Sequence, residues 1–430
     1  MMDWNVYLRV SALMFLEYAV WGVWMPVLAL RLLGPMKMTG KQAGWIYATF
    51  PLACMFAPFA SGYIADKWFN AEWIILVAQA VGAVLLFVVA KQKKFWGMFW
   101  AMLLYSICYT ATLPLVNKVL FEHIPGDAMV NFLGLPISIQ SLVFLWAPVA
   151  WALIGYFLTG MRQAFKMGGD GPDALYLGAF LSAVMALVCL IQPATAPKLA
   201  SAAGQAVATA NPIVEALHML TNVNYLIFMV AQLVVSGMMQ FYFLGTGQFM
   251  QDRGISGKNV SAVMGLAQVF QALGTMFLLG VAIEKAGFAW TFAIGAACWA
   301  TLFASYVLSR GRLVISIFQA FHGLAYVLFM IAGQMFVGAM APKEITASAQ
   351  SLIFIVTVGA GSFIGTQMAG VVMEKNCVDG KFQWAKIWSV PLVITLAGAI
   401  VFATCFKVPS VKDFQKNNPE ETKAVAVVLR

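Results

Sequence analysis

Gly62-Tyr63-Ile64-Ala65-Asp66-Lys67 closes one apolar run of this chain, and Gly280-Val281-Ala282-Ile283-Glu284-Lys285 closes another. In both hexapeptides an acid stands four residues beyond a glycine, with a lysine directly after it. Both follow the second apolar stretch of a set of six, so the chain reads as two repeated halves. The expected stretches are 8–33, 41–65, 72–91, 95–121, 133–160, 174–196, 223–250, 259–283, 288–308, 312–340, 346–374 and 388–407. Each approaches the ~20 residues that a helix needs to cross a bilayer. The expected fold is therefore an all-α integral membrane protein of twelve helices: a six-helix bundle over 1–196, a linker over 197–222, a second bundle over 223–407 and a tail over 408–430. The linker, from Pro197-Lys198-Leu199-Ala200 to Asn211-Pro212, is rich in Ala with little charge. Glycine at Gly62 and Gly280 would let two helices approach closely. Asp66, Lys67, Glu284 and Lys285 could pair with a neighbouring helix end, which makes these hexapeptides candidate conformational-switch loops; ordinary solvated turns are the alternative.

Composition agrees, with 62% hydrophobic residues, 10% charged residues and a mean hydropathy of +0.84. The net charge of +9 is scattered through short loops and the tail, which excludes a nucleic-acid groove and suits anionic lipid headgroups. The first apolar stretch is too long and Trp-rich for a cleaved signal peptide. Six cysteines, almost all within apolar stretches, show no metal-like spacing. A phosphate loop, a metal cluster and a Ser/His/acid set are all missing from the sequence, so an enzyme is not expected, nor any cofactor or metal. Gly168-Gly169-Asp170-Gly171 precedes Pro172 and reads as a turn. A channel is disfavoured, since no ring of charge is available to line a pore.

Polar groups inside apolar helices are costly and usually face a cavity or a partner. Glu17, within Leu13-Met14-Phe15-Leu16-Glu17-Tyr18-Ala19-Val20, is the sharpest. Helical spacing puts Glu17, Trp21 and Trp24 on one face. A carboxyl beside indoles with little water could take up and release a proton; a protonated, purely structural glutamate is the alternative. Gln240 and Phe243, Gln268 and Gln271, and Gln319, His322 and Tyr326 each share a helix face. Amides offer donors and acceptors and rings offer a stacking surface, which together suit a nucleobase or a sugar. Asn117, Ser138, Gln140 and Gln350 join the candidate binding set, each with an interhelical hydrogen bond as its alternative. Lys118 reads as snorkelling to the interface.

Trp21-Gly22-Val23-Trp24, Ala65-Asp66-Lys67-Trp68, Thr112-Leu113-Pro114-Leu115-Val116-Asn117, Ala347-Ser348-Ala349-Gln350 and Gly370-Val371-Val372-Met373-Glu374 with Asp379-Gly380 and Trp384 carry a resemblance to a known family. Over nearly its whole length the chain resembles the nucleoside:proton symporters of the major facilitator superfamily. The resemblance implies two pseudo-symmetric six-helix halves with a central cavity, working by alternating access without a cofactor. It implies a monomer in the inner membrane with both termini cytoplasmic, since the Gly62–Lys67 motif resembles a cytoplasmic signature. Lys91, Lys93 and Lys94 run against that orientation under the positive-inside rule. Partners are expected to be a nucleoside-like small molecule, protons and membrane lipid, with no nucleic acid.

Gln240 and Gln268 match glutamines that the resemblance assigns to the nucleoside. Departures from the family's pattern are Ser138 for an Arg, Gln271 for an acid, Val327 for an Asp, Phe243 for an Asn and His322 for a Tyr. Losing positive and negative groups together keeps the expected cavity balanced, so the site reads as retuned, with proton coupling expected to fall to Glu17 and His322. An uncoupled facilitator, a sugar carrier or a transport-inactive sensor on the same fold are the alternatives.

Overall fold

The computed structural model describes residues 3–132, 135–197, 212–308, 311–342 and 345–409. Residues 198–211 of the expected linker and 410–430 of the expected tail lie outside them. Among the described residues, ten helical spans are long and apolar enough to cross a membrane. They are α1 (Trp4–Leu33), α2 (Gly40–Lys67), α3 (Ala71–Lys91), α4 (Phe95–His123), α5 (Ile139–Ala164), α7 (Val223–Asp252), α8 (Gly257–Leu308), α9 (Arg312–Met340), α10 (Ser348–Lys375) and α11 (Trp384–Thr404), while α6 (Asp173–Cys189) is apolar but shorter. The protein is a multi-pass membrane protein. α8 is 52 residues long, ~78 Å if straight and more than twice a ~30 Å hydrocarbon core. Its backbone leaves the helix at Gly287, φ 71°, a conformation that favours glycine. Twelve crossings follow if α8 passes twice and α6 passes once.

Local chemistry accounts for the helix ends and breaks. Asp3 caps α1 by accepting from the Asn5 amide at 2.9 Å, and Thr39 and Gln42 form a reciprocal capping box at the start of α2. A turn at Met25–Val27, where Pro26 sits, interrupts α1. The Tyr47 hydroxyl repairs the interruption by donating to the Met25 carbonyl at 2.9 Å and accepting from the Ala29 amide at 3.0 Å.

One expected helix is shorter than its apolar run. Helix was expected from residue 133, but a two-stranded hairpin, β1 (Met129–Phe132) and β2 (Leu135–Ser138), precedes α5. Pro136 lies in β2 and lacks the N–H that helical pairing needs.

The chain forms two compact units, one drawing on Met1–Ala206 with Phe243–Gln268 and the other on Val207–Tyr242 with Val269–Arg430. In unit 1 an aliphatic core forms around Leu13, Met14, Ile75, Val116, Val119 and Met185. The Phe243–Gln268 segment is tied to α5 by hydrogen bonds from the Ala262 amide to Thr159 Oγ1 at 3.1 Å and from Gln163 Nε2 to Asn259 Oδ1 at 3.0 Å. Unit 2 instead packs rings, among them Phe228, Phe288, Phe292, Phe336, Phe402 and Phe406. Here Gly237 of α7 meets Gly365 of α10 so closely that a Cβ on Gly365 would fall 2.0 Å from the Gly237 carbonyl oxygen.

Candidate functional site

Glu17 is wholly buried in unit 1. Its Oε1 lies 2.7 Å from Thr112 Oγ1 of α4. Gln79 Nε2 of α3 donates to Glu17 Oε2 at 3.3 Å and to Thr112 Oγ1 at 3.2 Å. Ser182 Oγ of α6 sits 2.6 Å from Gln79 Oε1 and 2.8 Å from the Gln79 carbonyl. The Tyr109 hydroxyl donates to the backbone carbonyl of Glu17 at 2.6 Å. Two helices thus reach the carboxyl of α1 directly, through the Gln79 amide and the Thr112 hydroxyl, and α6 holds the amide in place through Ser182.

The two indoles expected on the face of Glu17 take separate ring partners. The Trp21 ring stacks on Phe50 with centroids 4.5 Å apart and meets Trp151 edge-on at 5.3 Å. Trp24 turns into the core, where its Nε1 donates to the Tyr105 hydroxyl at 3.2 Å. Glu17 and Trp21 share Tyr109, whose hydroxyl bonds the Glu17 carbonyl and whose ring lies 6.3 Å from that of Trp21. Gln79, Thr112 and Ser182 were missed by the sequence reading. Each is a polar residue in an apolar helix, as in Leu76-Val77-Ala78-Gln79-Ala80-Val81, so the cost argument that singled out Glu17 would have found them.

Other candidates in unit 1 divide by whether the protein uses their polar atoms. Trp21 Nε1 is buried without an acceptor among the described residues. Asn117 is half-buried with no side-chain hydrogen bond among the described residues, and Gln268 is buried at 8% exposure. Phe243 packs its ring 6.0 Å from that of Trp151. By contrast, Gln140 Nε2 donates to the Ile124 carbonyl at 2.7 Å, tying the end of α4 to the start of α5. Ser138 ends β2, outside the helix expected to present it. Lys118 does more than snorkel, since its Nζ reaches Asp66 Oδ1 at 2.7 Å and the Ala65 carbonyl at 2.9 Å.

In unit 2, Gln240 is buried and its Oε1 has no donor among the described residues. Gln271 and Tyr326 are half-buried, and Tyr326 opens a π-helical turn, Tyr326–Ile331. His322 stacks on Tyr242 with centroids 3.8 Å apart, and its Nδ1 accepts from Trp299 Nε1 at 3.2 Å. An indole N–H only donates, so Nδ1 carries no hydrogen and the ring is held as its Nε2–H tautomer. A second proton at Nδ1 would have to displace the indole bond. Gln319 is used structurally, accepting from the Tyr242 hydroxyl at 3.0 Å and donating to the Tyr306 hydroxyl at 2.7 Å. Gln350 Nε2 donates to the Gln334 carbonyl at 2.8 Å, so its interhelical alternative is the one observed.

The two hexapeptides also differ from expectation. Gly62 to Lys67 form the last turns of α2, and Gly280 to Lys285 lie within α8. Among the described residues, Gly62 and Gly280 both face open space where a side chain would stand, so the expected close approach is not at these glycines. Asp66 does find a neighbouring helix, through Lys118. Glu284 and Lys285 are exposed at a separation of 4.0 Å.

Comparisons with known proteins bear on the whole chain. The family model described as Nucleoside H+ symporter matches residues 4–411. Nucleoside permease NupG of Escherichia coli strain K12 is 25% identical over 426 residues, covering 95% of this chain and 97% of that protein. Xanthosine permease from the same strain is 24% identical over 437 residues, covering 98% and 99%. A crystal structure of the nucleoside transporter NupG superposes with a TM-score of 0.79 at 23% identity, covering 94% of this chain and 100% of that one. The fold is that of the major facilitator transporters.

Proposed function

This chain belongs to the nucleoside H+ symporter family, and on that premise we propose that it carries a nucleoside, or a related small polar metabolite, across the inner membrane together with a proton. The match over residues 4–411 carries this reading. Transport proceeds by alternating access in a monomer whose termini are both cytoplasmic. Each unit offers its own candidate substrate contacts, Trp21, Asn117 and Gln268 in unit 1 and Gln240, Gln271 and Tyr326 in unit 2; among the described residues, Trp21 Nε1 and Gln240 Oε1 are the atoms of this set that are buried without a partner. Buried polar atoms without partners are costly, and a bound solute that offers hydrogen bonds repays that cost. Amides match the mixed donor and acceptor edge of a base or sugar, and rings supply a face to stack on. Glu17 carries the proton.

The test is uptake and counterflow of labelled nucleosides in proteoliposomes, with external pH followed in the same vesicles. Saturable exchange with substrate-driven alkalinisation is expected. A wild-type protein that exchanges no nucleoside, base or sugar would end the transport reading. Glu17→Gln is expected to keep counterflow and lose alkalinisation; unchanged proton movement would remove Glu17 from the mechanism.

A further inference from the structure

We propose that Thr112 is the positioning residue for the transported proton: Glu17 is resident as the neutral acid, and its Oε1–H donates to Thr112 Oγ1. This deepens the proton-coupled reading above and rests on it.

A threonine hydroxyl has one hydrogen to give. Thr112 Oγ1 lies 2.6 Å from the Tyr109 carbonyl oxygen, which can only accept. It also lies 2.7 Å from Glu17 Oε1. If the threonine hydrogen points to Tyr109, the short contact to Glu17 needs a hydrogen from the carboxyl. If it points to Glu17 instead, two acceptors face each other at 2.6 Å with nothing between them. The first arrangement leaves no unbridged pair, and Gln79 Nε2 adds a second donor to the same hydroxyl at 3.2 Å. The amide orientation is fixed by Ser182, whose Oγ donates to Gln79 Oε1 at 2.6 Å.

No cation among the described residues supports a carboxylate here, and Gln79 Nε2 donates to Oε2 only at a long 3.3 Å. Ion pairs among the described residues join Lys118 to Asp66, Arg162 to Asp173 and Lys285 to Glu284, and none reaches Glu17. The titratable groups facing it are Tyr105 and Tyr109 of α4 and Cys189 of α6, none of them a cation. On α1, Tyr18 is adjacent. α3 contributes the Gln79 amide, and α5 packs Trp146 and Trp151 against α1 at Phe15 and Trp21.

Release of the proton rearranges one hydrogen bond. The proton passes to water and leaves a carboxylate, Thr112 turns its only hydrogen to Oε1, and the Tyr109 carbonyl loses that bond. In the same turn of α4, Pro114 already withholds the N–H that the Thr110 carbonyl would take. Deprotonation therefore frees the Tyr109 carbonyl of its side-chain bond in the turn that Pro114 already leaves one hydrogen bond short.

Infrared difference spectra of the purified full chain in lipid at neutral pH test this. A carboxylic-acid carbonyl band present in wild type and missing from Glu17→Gln is expected. Thr112→Val should shift that band to higher frequency and lower the protons moved per nucleoside several-fold, and Thr112→Ser should restore both. No band dependent on Glu17, or a band indifferent to Thr112→Val, overturns the proposal. The wild-type and Glu17→Gln spectra decide the protonation state even if Thr112→Val fails to fold. Failure of wild-type counterflow would strike the transport reading and leave the spectra standing.

Discussion

Unit 1 and unit 2 solve the same problem, a stable interior inside lipid, with different chemistry. The fully buried acids and arginine among the described residues, Glu17, Glu72 and Arg162, all belong to unit 1. Each has a specific partner: Glu72 accepts from the Thr195 amide at 2.9 Å, and Arg162 Nε reaches Asp173 Oδ2 at 2.5 Å. Unit 2 is filled by stacked and edge-on rings, and it holds three π-helical turns, Gly274–Leu278, Tyr326–Ile331 and Ile355–Gly361. Directed hydrogen bonds in a low dielectric are strong when complete and costly when broken. Ring packing depends on shape, and a π-turn inserts slack into a helix, often beside a functional site. The difference is one of emphasis, since unit 1 also stacks Trp21 on Phe50 and unit 2 also joins Tyr242, Gln319 and Tyr306 by hydrogen bonds.

The largest expected effect breaks unit 1 at its buried ion pair. Asp173→Ala leaves the Arg162 charge uncompensated and should cost about 3–5 kcal/mol, seen as a lower midpoint of thermal unfolding in detergent; an unchanged midpoint would mean that the pair props up nothing. In unit 2, Phe292→Ala opens a hole in the ring cluster and should cost about 3 kcal/mol by the same assay. A cost near zero would show that this cluster repacks freely. Next come the glycines. Gly365→Val forces Gly237 and Gly365 apart and should cost about 1–3 kcal/mol, while Gly62→Val, in open space, should stay within about 0.5 kcal/mol; the reverse order would place the tight helix contact where the sequence first put it. The smallest effects concern the candidate substrate amides. Gln240→Ala and Gln268→Ala should each lose about 1 kcal/mol of binding, roughly fivefold in affinity by nucleoside titration, with unfolding midpoints near wild type. Wild-type affinity in either variant removes that residue from the site.

Much of this architecture could be read before any coordinates. Long apolar runs spaced by short polar turns admit helices that satisfy their own backbone groups in lipid, and Arg312–Met340 has the expected bounds. Glu17 stood out for the same reason, as a costly group in an apolar run. The hairpin before α5 was hidden because an apolar run of that length suits strand or helix alike, and Pro136 was the overlooked signal. Gln140, Gln319 and Gln350 could not be sorted from Gln240 by sequence, since an amide that bridges helices and an amide that waits for a ligand look identical in one dimension.

The order of residues alone pointed to a chain that lives in a bilayer and carries a buried acid in its first helix, because hydropathy and spacing are properties of the chain. Which partner each polar atom meets was decided only in three dimensions. Trp299 commits one face of His322, Thr112 and Gln79 claim Glu17, and Tyr47 mends the break at Pro26, all across helices distant in sequence. A hydrogen bond has direction and length, and neither exists until the helices are packed.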